Sequence, residues 1–246
     1  MALDEAIASS VRREDSPPTL RLYTWDRPSV SLGCFQKVSD INSEYCKDAD
    51  IPVARRPTGG RAILHNDELT YSFSVKTDNE IFSKGLLDSY RKISLAFDLA
   101  FRKIGVRAES KKNREKGKVL TRSPLCFQSS SFGEILIDDK KIVGSAQKRW
   151  SDGLLQQGSI PYSFEESLLK RIFRFHDAKD IKAKMTCLKD VIPELRDEEF
   201  RKAVQVSFEN VFDIEFILDV PSEREASLAM ELESEKYLSP EWNFRR

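Results

Sequence analysis

The chain has 246 residues, which is long enough to bury a sizeable core in one large domain without help from metals or cross-links. Lysine plus arginine equals aspartate plus glutamate at 40 each, so composition excludes a global field that would draw the protein onto nucleic acid or an anionic membrane. No apolar run approaches the roughly 20 residues that span a bilayer, and the acidic start of the sequence is unlike a signal peptide. Partners of those two kinds are therefore not expected.

The first half of the sequence predicts three helices and a series of short strands. Apolar residues recur at helical spacing in residues 2–13, and prolines at 17 and 18 end that pattern. An apolar stripe from Leu86 to Ile104 predicts a longer helix, capped by Ser83 and stopped by Gly105. Alternating runs predict strands at residues 20–25, 29–35, 62–64 and 69–75, and a short helix is predicted at 40–47.

The second half predicts a hairpin, two further strands and several helices. Residues 132–137 and 141–146 alternate on either side of Asp138-Asp139-Lys140, which favours a β-hairpin. The pattern indicates an α+β fold in a single domain, residues 1–246, with a mixed or antiparallel sheet packed against helices. The remaining strands are predicted at 154–160 and 214–218, the helices at 164–175, 197–211 and 222–237, and a segment broken by Pro193 at 183–195.

A glycine pair marks the candidate pocket. Residues 55–61 read Arg-Arg-Pro-Thr-Gly-Gly-Arg, and Gly59 and Gly60 carry no Cβ, so their backbone can turn and come within hydrogen-bonding range of a ligand. A glycine-containing hairpin turn is the alternative interpretation. The preceding arginines favour the pocket.

Four cysteines lie far apart without CxxC spacing, which argues against a zinc site or a disulfide framework and favours reduced thiols in a cytoplasmic protein. Cys34 falls in a predicted strand and is expected to be buried, and Cys46 falls in a short helix without an evident partner. Cys126 lies in an irregular loop rich in hydroxyl residues and is a candidate nucleophile for an acyl group, with an inert loop thiol as the alternative. A nearby ammonium such as that of Lys141 would favour its thiolate.

A run of positive charge at residues 111–118, with Arg122, precedes that loop. The simplest interpretation is a solvated loop. A docking patch for an acidic carrier protein is the alternative, because opposite charges speed association.

The glycine-pair motif and several others resemble the biotin/lipoate-protein ligase and octanoyltransferase superfamily, and most closely its LipM-type octanoyltransferases. The resemblance spans nearly the whole chain, although the sequence starts at the first helix. Either the true start codon lies upstream, or the protein lacks the strand that usually precedes this helix. In place of the usual Tyr-Glu it has Gly133-Glu134. The matching segments are residues 1–6, 55–61, Leu64-His65, 68–72, 141–147, 157–160 and 240–245.

The resemblance implies the ligase-type catalytic fold and a set of site residues. Cys126 would be the acyl-thioester nucleophile, and Lys141 would lower its pKa. His65 is either a hydrogen-bonded structural residue or a general base, and it is counted with the pocket. The other residues of the acyl pocket would be Arg56, Thr58, Gly59 and Gly60 on one wall and Gly144, Ser145 and Gln147 on the other.

The resemblance also implies the reaction. Octanoyl would pass from acyl carrier protein to a lysine of a lipoyl-carrier protein such as the glycine cleavage H protein, with no cofactor and no metal. Three alternatives stay open: a lipoate-protein ligase that uses ATP and lipoate, an amidotransferase between lipoyl carriers, and a non-catalytic member that only binds carriers.

Overall fold

A computed structural model describes residues 1–78, 81–110, 135–174 and 181–245 of the chain. Most of the helical sequence lies in four long helices, each with one apolar face. A π-helical turn, Glu233–Tyr237, continues the helix before it, and a 3₁₀ turn covers Val38–Asp40. The helices are α1 Ala2–Arg12, α2 Ser43–Asp48, α3 Leu86–Lys103, α4 Glu166–Ile172, α5 Ile181–Lys184, α6 Leu188–Val191, α7 Asp197–Phe212, α8 Glu223–Leu232 and α9 Pro240–Asn243.

The strands form three sheets, ordered β1-β5-β10-β9, β3-β2-β4 and β6-β7-β8. The four-stranded sheet is antiparallel throughout, whereas β2 runs parallel to β3 and antiparallel to β4. Antiparallel and mixed sheets packed with helices agree with the predicted α+β class. The strands are β1 Thr19–Tyr23, β2 Ser29–Leu32, β3 Val53–Arg55, β4 Ile63–His65, β5 Glu68–Lys76, β6 Glu109–Ser110, β7 Ile135–Ile137, β8 Lys140–Lys141, β9 Gly144–Arg149 and β10 Gly153–Pro161.

The central strand β5 separates two environments because its side chains alternate between the faces of the sheet. Tyr71 and Phe73 enter the main core, where α3 and α7 pack on the sheet, and Phe97 of α3 meets Phe208 of α7 with ring centroids 5.4 Å apart. Ser72, on the opposite face, donates to Asp4 of α1. The first helix is therefore held on a polar face of the sheet rather than in the main core.

The hairpin predicted at 132–137 and 141–146 is corrected by the pairing. Ile137 of β7 does pair with Lys140 of β8, but Gly144 begins a new strand, β9, which pairs with β10 in the central sheet. Both runs alternate as strands, and only long-range pairing decides which sheet each one joins. The earlier residues of the predicted hairpin, 132–134, lie outside the described residues.

The strand predicted at 214–218 is wrong. These residues belong to the described part of the chain and form no strand, although their sequence alternates. Two of their backbone donors bind Glu209 of α7 instead: the Ile214 N–H donates to its carbonyl and the Phe216 N–H to its carboxylate, both at 3.1 Å. Hydrogen bonds to the preceding helix take the place of those that a neighbouring strand would supply, and Leu218 is left fully exposed.

Two local expectations also differ from the structure. Helix α3 begins at Leu86 with Gly85 at its N-cap, so the predicted cap at Ser83 is wrong. Strand β2 ends at Leu32, so Cys34 lies in the next loop and is half-exposed instead of buried in the strand. No helix in the described residues is long and apolar enough to cross a membrane.

Candidate active site

The glycine pair forms a turn that touches two other segments through backbone. A Cβ added to Gly33, after β2, would lie 1.9 Å from the Gly60 carbonyl oxygen, so the two loops are in backbone contact. Gly60 has φ +83°, a conformation that favours glycine, and a Cβ there would lie 3.5 Å from that of Ala146 on β9. The turn is thereby seated between the loop after β2 and the edge strand of the central sheet.

Arg56 fixes the carbonyls of this turn. Its buried guanidinium donates to the carbonyl oxygens of Gly59 and Arg61, both at 2.7 Å, and also to Ser31 of β2 at its carbonyl and hydroxyl. Guanidinium presents several donors in one plane, which suits it to hold several carbonyls at once. Arg56 therefore shapes the turn from inside.

Arg55 joins the same region to the C-terminal helix α9. It is fully buried; its backbone N–H donates to the Asn243 side chain at 2.8 Å, and its carbonyl accepts from the Trp242 indole at 2.7 Å. Its guanidinium donates to the carbonyls of Gly33 and Gln36 at 2.8 and 2.7 Å. One residue, through its backbone and its side chain, thus holds α9, β3 and the loop after β2 together.

Thr58 is bonded at its carbonyl and at its side chain. Its carbonyl accepts from the Cys34 N–H at 2.9 Å, and its hydroxyl donates to the Gln157 side chain of β10 at 3.0 Å. The residue is fully buried. It lies immediately before the glycine pair, so its position sets where the turn begins.

His65 is a buried member of a hydrogen-bonded cluster. Its Nδ1 lies 2.7 Å from the Glu68 carboxylate and its Nε2 lies 2.7 Å from the Ser31 hydroxyl, while the ring stacks on Trp25 at 4.2 Å. A carboxylate only accepts, so Nδ1 carries the proton in the bond to Glu68. With both nitrogens bonded inside the protein, the geometry matches the structural interpretation of His65, and a role in substrate binding stays a prediction.

Lys141 is 1% exposed, which is rare for a lysine. It pairs with Leu136 of β7, and its carbonyl accepts from the Thr186 N–H at 3.1 Å. Lys141 is thus buried on β8, beside β7, and β9 begins three residues later. Its contact with Cys126 stays a prediction, because Cys126 lies outside the described residues, as do the basic run 111–118, Arg122 and Gly133-Glu134.

Strand β9 distributes the other predicted wall over two faces. Directly paired residues of an antiparallel sheet share a face. Gly144 pairs with Ser159 and Ala146 with Gln157, so these residues lie on the side of the glycine turn. The other predicted wall residues, Ser145 and Gln147, lie on the opposite face, where Ser145 bonds the Tyr71 hydroxyl at 2.8 Å and Gln147 donates to Gln156 at 2.9 Å.

The face of the sheet that carries Ser145 and Gln147 has its own series of linked hydrogen bonds. Tyr71 sits between Ser145 and Gln156, and burial raises the pKa of its hydroxyl to about 12, so it stays protonated and hydrogen-bonded. A Cβ added to Gly158 would lie 2.2 Å from the tyrosine ring. Glycine is therefore required at 158 to admit Tyr71.

The thiols in the described residues differ in accessibility. Cys34 is half-exposed, and Arg245 donates to its sulfur at 3.1 Å. Cys46 and Cys187 are buried, and burial raises the pKa of both thiols, that of Cys187 to about 11. Both are therefore poor nucleophiles. Within the same residues, no group of three or more His, Cys, Asp or Glu side chains is placed to hold a metal ion.

Sequence reasoning missed the roles of several supporting residues. Asp4, Glu68 and Gln157 stand in the recognised motifs, yet each has a partner distant along the chain that nothing local indicates. Glu68 also bonds the nearby His65. Ser31 gave no signal beyond its place in a strand. Trp242 and Asn243 belonged to the C-terminal motif without an assigned function.

Comparison with known proteins gives one family. Residues 1–209 match the lipoyl protein ligase A/B catalytic domain. The chain is 34% identical over 254 residues to the octanoyltransferase LipM of Carboxydothermus hydrogenoformans and 36% identical over 260 residues to the octanoyltransferase LipM of Bacillus anthracis. Each match covers 100% of this chain and 93% of the relative.

A solved structure shares the fold. It is that of an archaeal lipoylation system, a bi-partite lipoate protein ligase and its E2 lipoyl domain from Thermoplasma acidophilum, with a TM-score of 0.81 and 25% identity over 99% of this chain and 89% of that chain. The chain therefore belongs to the lipoyl protein ligase A/B catalytic-domain family and, within it, is similar to the LipM-type octanoyltransferases.

Proposed function

We propose that the chain is a cytoplasmic octanoyltransferase of protein lipoylation. It would move an octanoyl group from acyl carrier protein, through a thioester on Cys126, to a lysine of a lipoyl-carrier protein such as the glycine cleavage H protein. The observation that carries the proposal is the similarity to LipM octanoyltransferases over the full length of this chain. The E2 lipoyl domain paired with the structurally similar archaeal ligase supports a lipoyl carrier as acceptor.

The proposed reaction has two steps that balance without ATP. The Cys126 thiolate attacks the octanoyl thioester, a new C–S bond forms as the old C–S bond breaks, and the carrier leaves as its thiolate. The neutral amine of the acceptor lysine then attacks the acyl-enzyme, an amide C–N bond forms as the C–S bond breaks, and Cys126 leaves as the thiolate. The proton that the amine loses balances the one that the carrier thiolate takes up from water. The first step exchanges one thioester for another, so its reaction free energy is close to zero. Formation of the amide in the second step makes the overall reaction free energy favourable.

The described residues supply two supports for this chemistry. The glycine turn brings side-chain-free backbone to the edge of β9, where N–H groups of Gly59 and Gly60 can stabilise the oxyanion of a tetrahedral intermediate. Lys141 is a buried lysine on β8, the strand that precedes β9. A cation beside a thiol favours the thiolate.

The test is acyl-enzyme formation without ATP. The protein is incubated with octanoyl-acyl carrier protein and measured by intact mass spectrometry, and we expect one added octanoyl group that is lost in Cys126→Ala. Cys34→Ala is the matched control, because Cys34 is the half-exposed thiol among the described residues. An adduct that persists in Cys126→Ala, or no adduct on the unmodified sequence, would contradict the proposed transferase.

The role of Lys141 has its own prediction. We expect Lys141→Ala to raise the apparent pKa of the Cys126 thiol by about one unit or more, because a neighbouring positive charge is lost. The measurement is the pH dependence of the Cys126 alkylation rate, followed on the peptide that carries it. Lys140→Ala, the adjacent and half-buried lysine, should leave the curve unchanged. Equal curves for both variants would remove Lys141 from the mechanism.

A lipoate-protein ligase is the second candidate, and the TM-score of 0.81 to the archaeal ligase favours it. A ligase would need ATP and free lipoate and would form lipoyl-AMP without Cys126. Acceptor modification that requires both reagents, and that survives Cys126→Ala, would select the ligase over the transferase.

A further inference from the structure

A chain of buried hydrogen bonds links the first helix to the glycine turn. The Thr58 hydroxyl donates to Gln157 Oε1 at 3.0 Å, and Gln157 Nε2 donates to Asp4 Oδ2 at 2.7 Å. Asp4 and Thr58 are 0% exposed and Gln157 is 5% exposed. Because an ionised carboxylate only accepts, Asp4 takes the amide N–H₂ of Gln157 and leaves the amide oxygen toward Thr58.

Asp4 is itself held from two strands of the central sheet. Its Oδ1 accepts from Arg21 of β1 at 2.8 Å and from Ser72 of β5 at 2.9 Å, and its Oδ2 also accepts from Tyr23 of β1 at 2.9 Å. The carboxylate therefore has a fixed position on the sheet. The amide of Gln157 inherits that position through a bond made inside the protein.

At the other end, Thr58 has little freedom to move. Its carbonyl accepts from the Cys34 N–H at 2.9 Å, so both its backbone and its side chain are tied. Gly59 follows directly, and a Cβ there would meet nothing within 4 Å. Gly59 thus has open space beside it and depends on its neighbours for its position.

We propose that Gln157 and Asp4 are positioning residues for acyl transfer, which hold Thr58 so that the backbone amides of the glycine turn meet the reacting thioester carbonyl. The inference rests on the proposed function, since it needs an acyl-transfer site at this turn. Neither side chain touches the substrate in this account. Their effect is geometric, and a displacement of about 1 Å at a reacting centre can cost about 100-fold in rate.

The experiment measures single-turnover acylation by octanoyl-acyl carrier protein with intact mass spectrometry, over a range of donor concentrations. Thr58→Val removes the hydroxyl at nearly constant shape, and Thr58→Ser retains it. Gln157→Glu sets a second carboxylate against Asp4. The double variant Asp4→Asn, Gln157→Glu restores one N–H donor and one carboxylate to the pair, with the same net charge.

We expect Thr58→Val and Gln157→Glu to lower the saturating rate by about 10- to 100-fold, while the half-saturating donor concentration stays within about twofold. Thr58→Ser, which retains the hydroxyl, should lose less of the saturating rate than Thr58→Val, and the double variant should recover much of what Gln157→Glu loses. Thermal unfolding of each variant separates misfolding from displacement of the glycine turn. A variant that is folded but has a lower saturating rate has lost only the correct position of the turn.

Two outcomes would overturn the inference. One is an unchanged saturating rate in Thr58→Val, and the other is a double variant no faster than Gln157→Glu alone. Both outcomes are distinct from failure of the proposed function. If the proposed function were wrong, the unmodified protein itself would form no octanoyl adduct in this assay.

Discussion

Replacing Gly33 by alanine is expected to abolish octanoyl transfer and to lower the free energy of unfolding by about 1 to 3 kcal/mol. The new Cβ would lie 1.9 Å from the carbonyl oxygen and 2.7 Å from the carbonyl carbon of Gly60. Both atoms are backbone, so no side-chain rotation relieves the contact and the two loops must separate. Separation would displace the glycine turn from β9, where Gly60 lies close to Ala146.

The matched control is Gly59→Ala, at the glycine next to Gly60. A Cβ there meets nothing within 4 Å, so its free energy of unfolding should stay close to that of the unmodified protein. Urea denaturation compares the two variants, and intact mass spectrometry follows the octanoyl adduct. Normal acylation by a folded Gly33→Ala protein would mean that contact between the loops is not needed.

Arg55→Lys should destabilise the protein by about 1 to 3 kcal/mol for each buried carbonyl that it leaves without a partner, and should strongly reduce acylation. The guanidinium bonds two carbonyls of the loop after β2 and, through Nε, the carbonyl of Asn243 at 3.1 Å. A lysine ammonium is a point charge and cannot reproduce that planar set of donors. It would leave buried carbonyls without partners, which is the costly result of breaking such a network.

Arg27→Lys provides the control for this substitution. Arg27 pairs with Asp50 at the surface, where both side chains are more than half exposed, and such pairs contribute about 0 to 1 kcal/mol. Denaturation curves and acylation rates of the two variants should therefore diverge widely. Similar curves would show that the link from Arg55 to α9 contributes little.

The long elements could be predicted from sequence because their periodicity is local. Helices α1, α3, α7 and α8 and strands β5 and β10 follow the 3.6- and 2-residue patterns over many positions, and the predicted ranges overlap the observed ones. Strand β3 was not predicted, because three residues, Val53–Arg55, are too few to show a period.

Strand partners could not be predicted in the same way. Alternation at 141–146 shows an extended chain but not that Lys141 belongs with β7 and Gly144 with β10. The 214–218 segment alternates as well, yet Glu209 satisfies the N–H groups that a ladder would need. Pairing depends on residues far along the chain, and a window of ten residues contains no record of them.

The candidate site shows the same division. The glycine turn could be placed from its own motif, because the absence of Cβ atoms is a local property. The bonds that hold it are not local: Thr58 and Gln157 are 99 residues apart, and Gln157 and Asp4 are 153 apart. Single polar residues look solvent-facing in sequence, although these three are buried.

The bond from Arg55 to Asn243 joins positions 188 residues apart, which bears on how the protein is made. Synthesis runs from the N-terminus, so Arg55 and the glycine turn leave the ribosome long before Trp242 and Asn243 are translated. Domains generally fold as units during this process. A nascent chain that stops short of those two residues leaves the backbone of Arg55 without its indole and amide partners. The bonds that join β3 to α9 therefore form only after residues 242 and 243 have been translated.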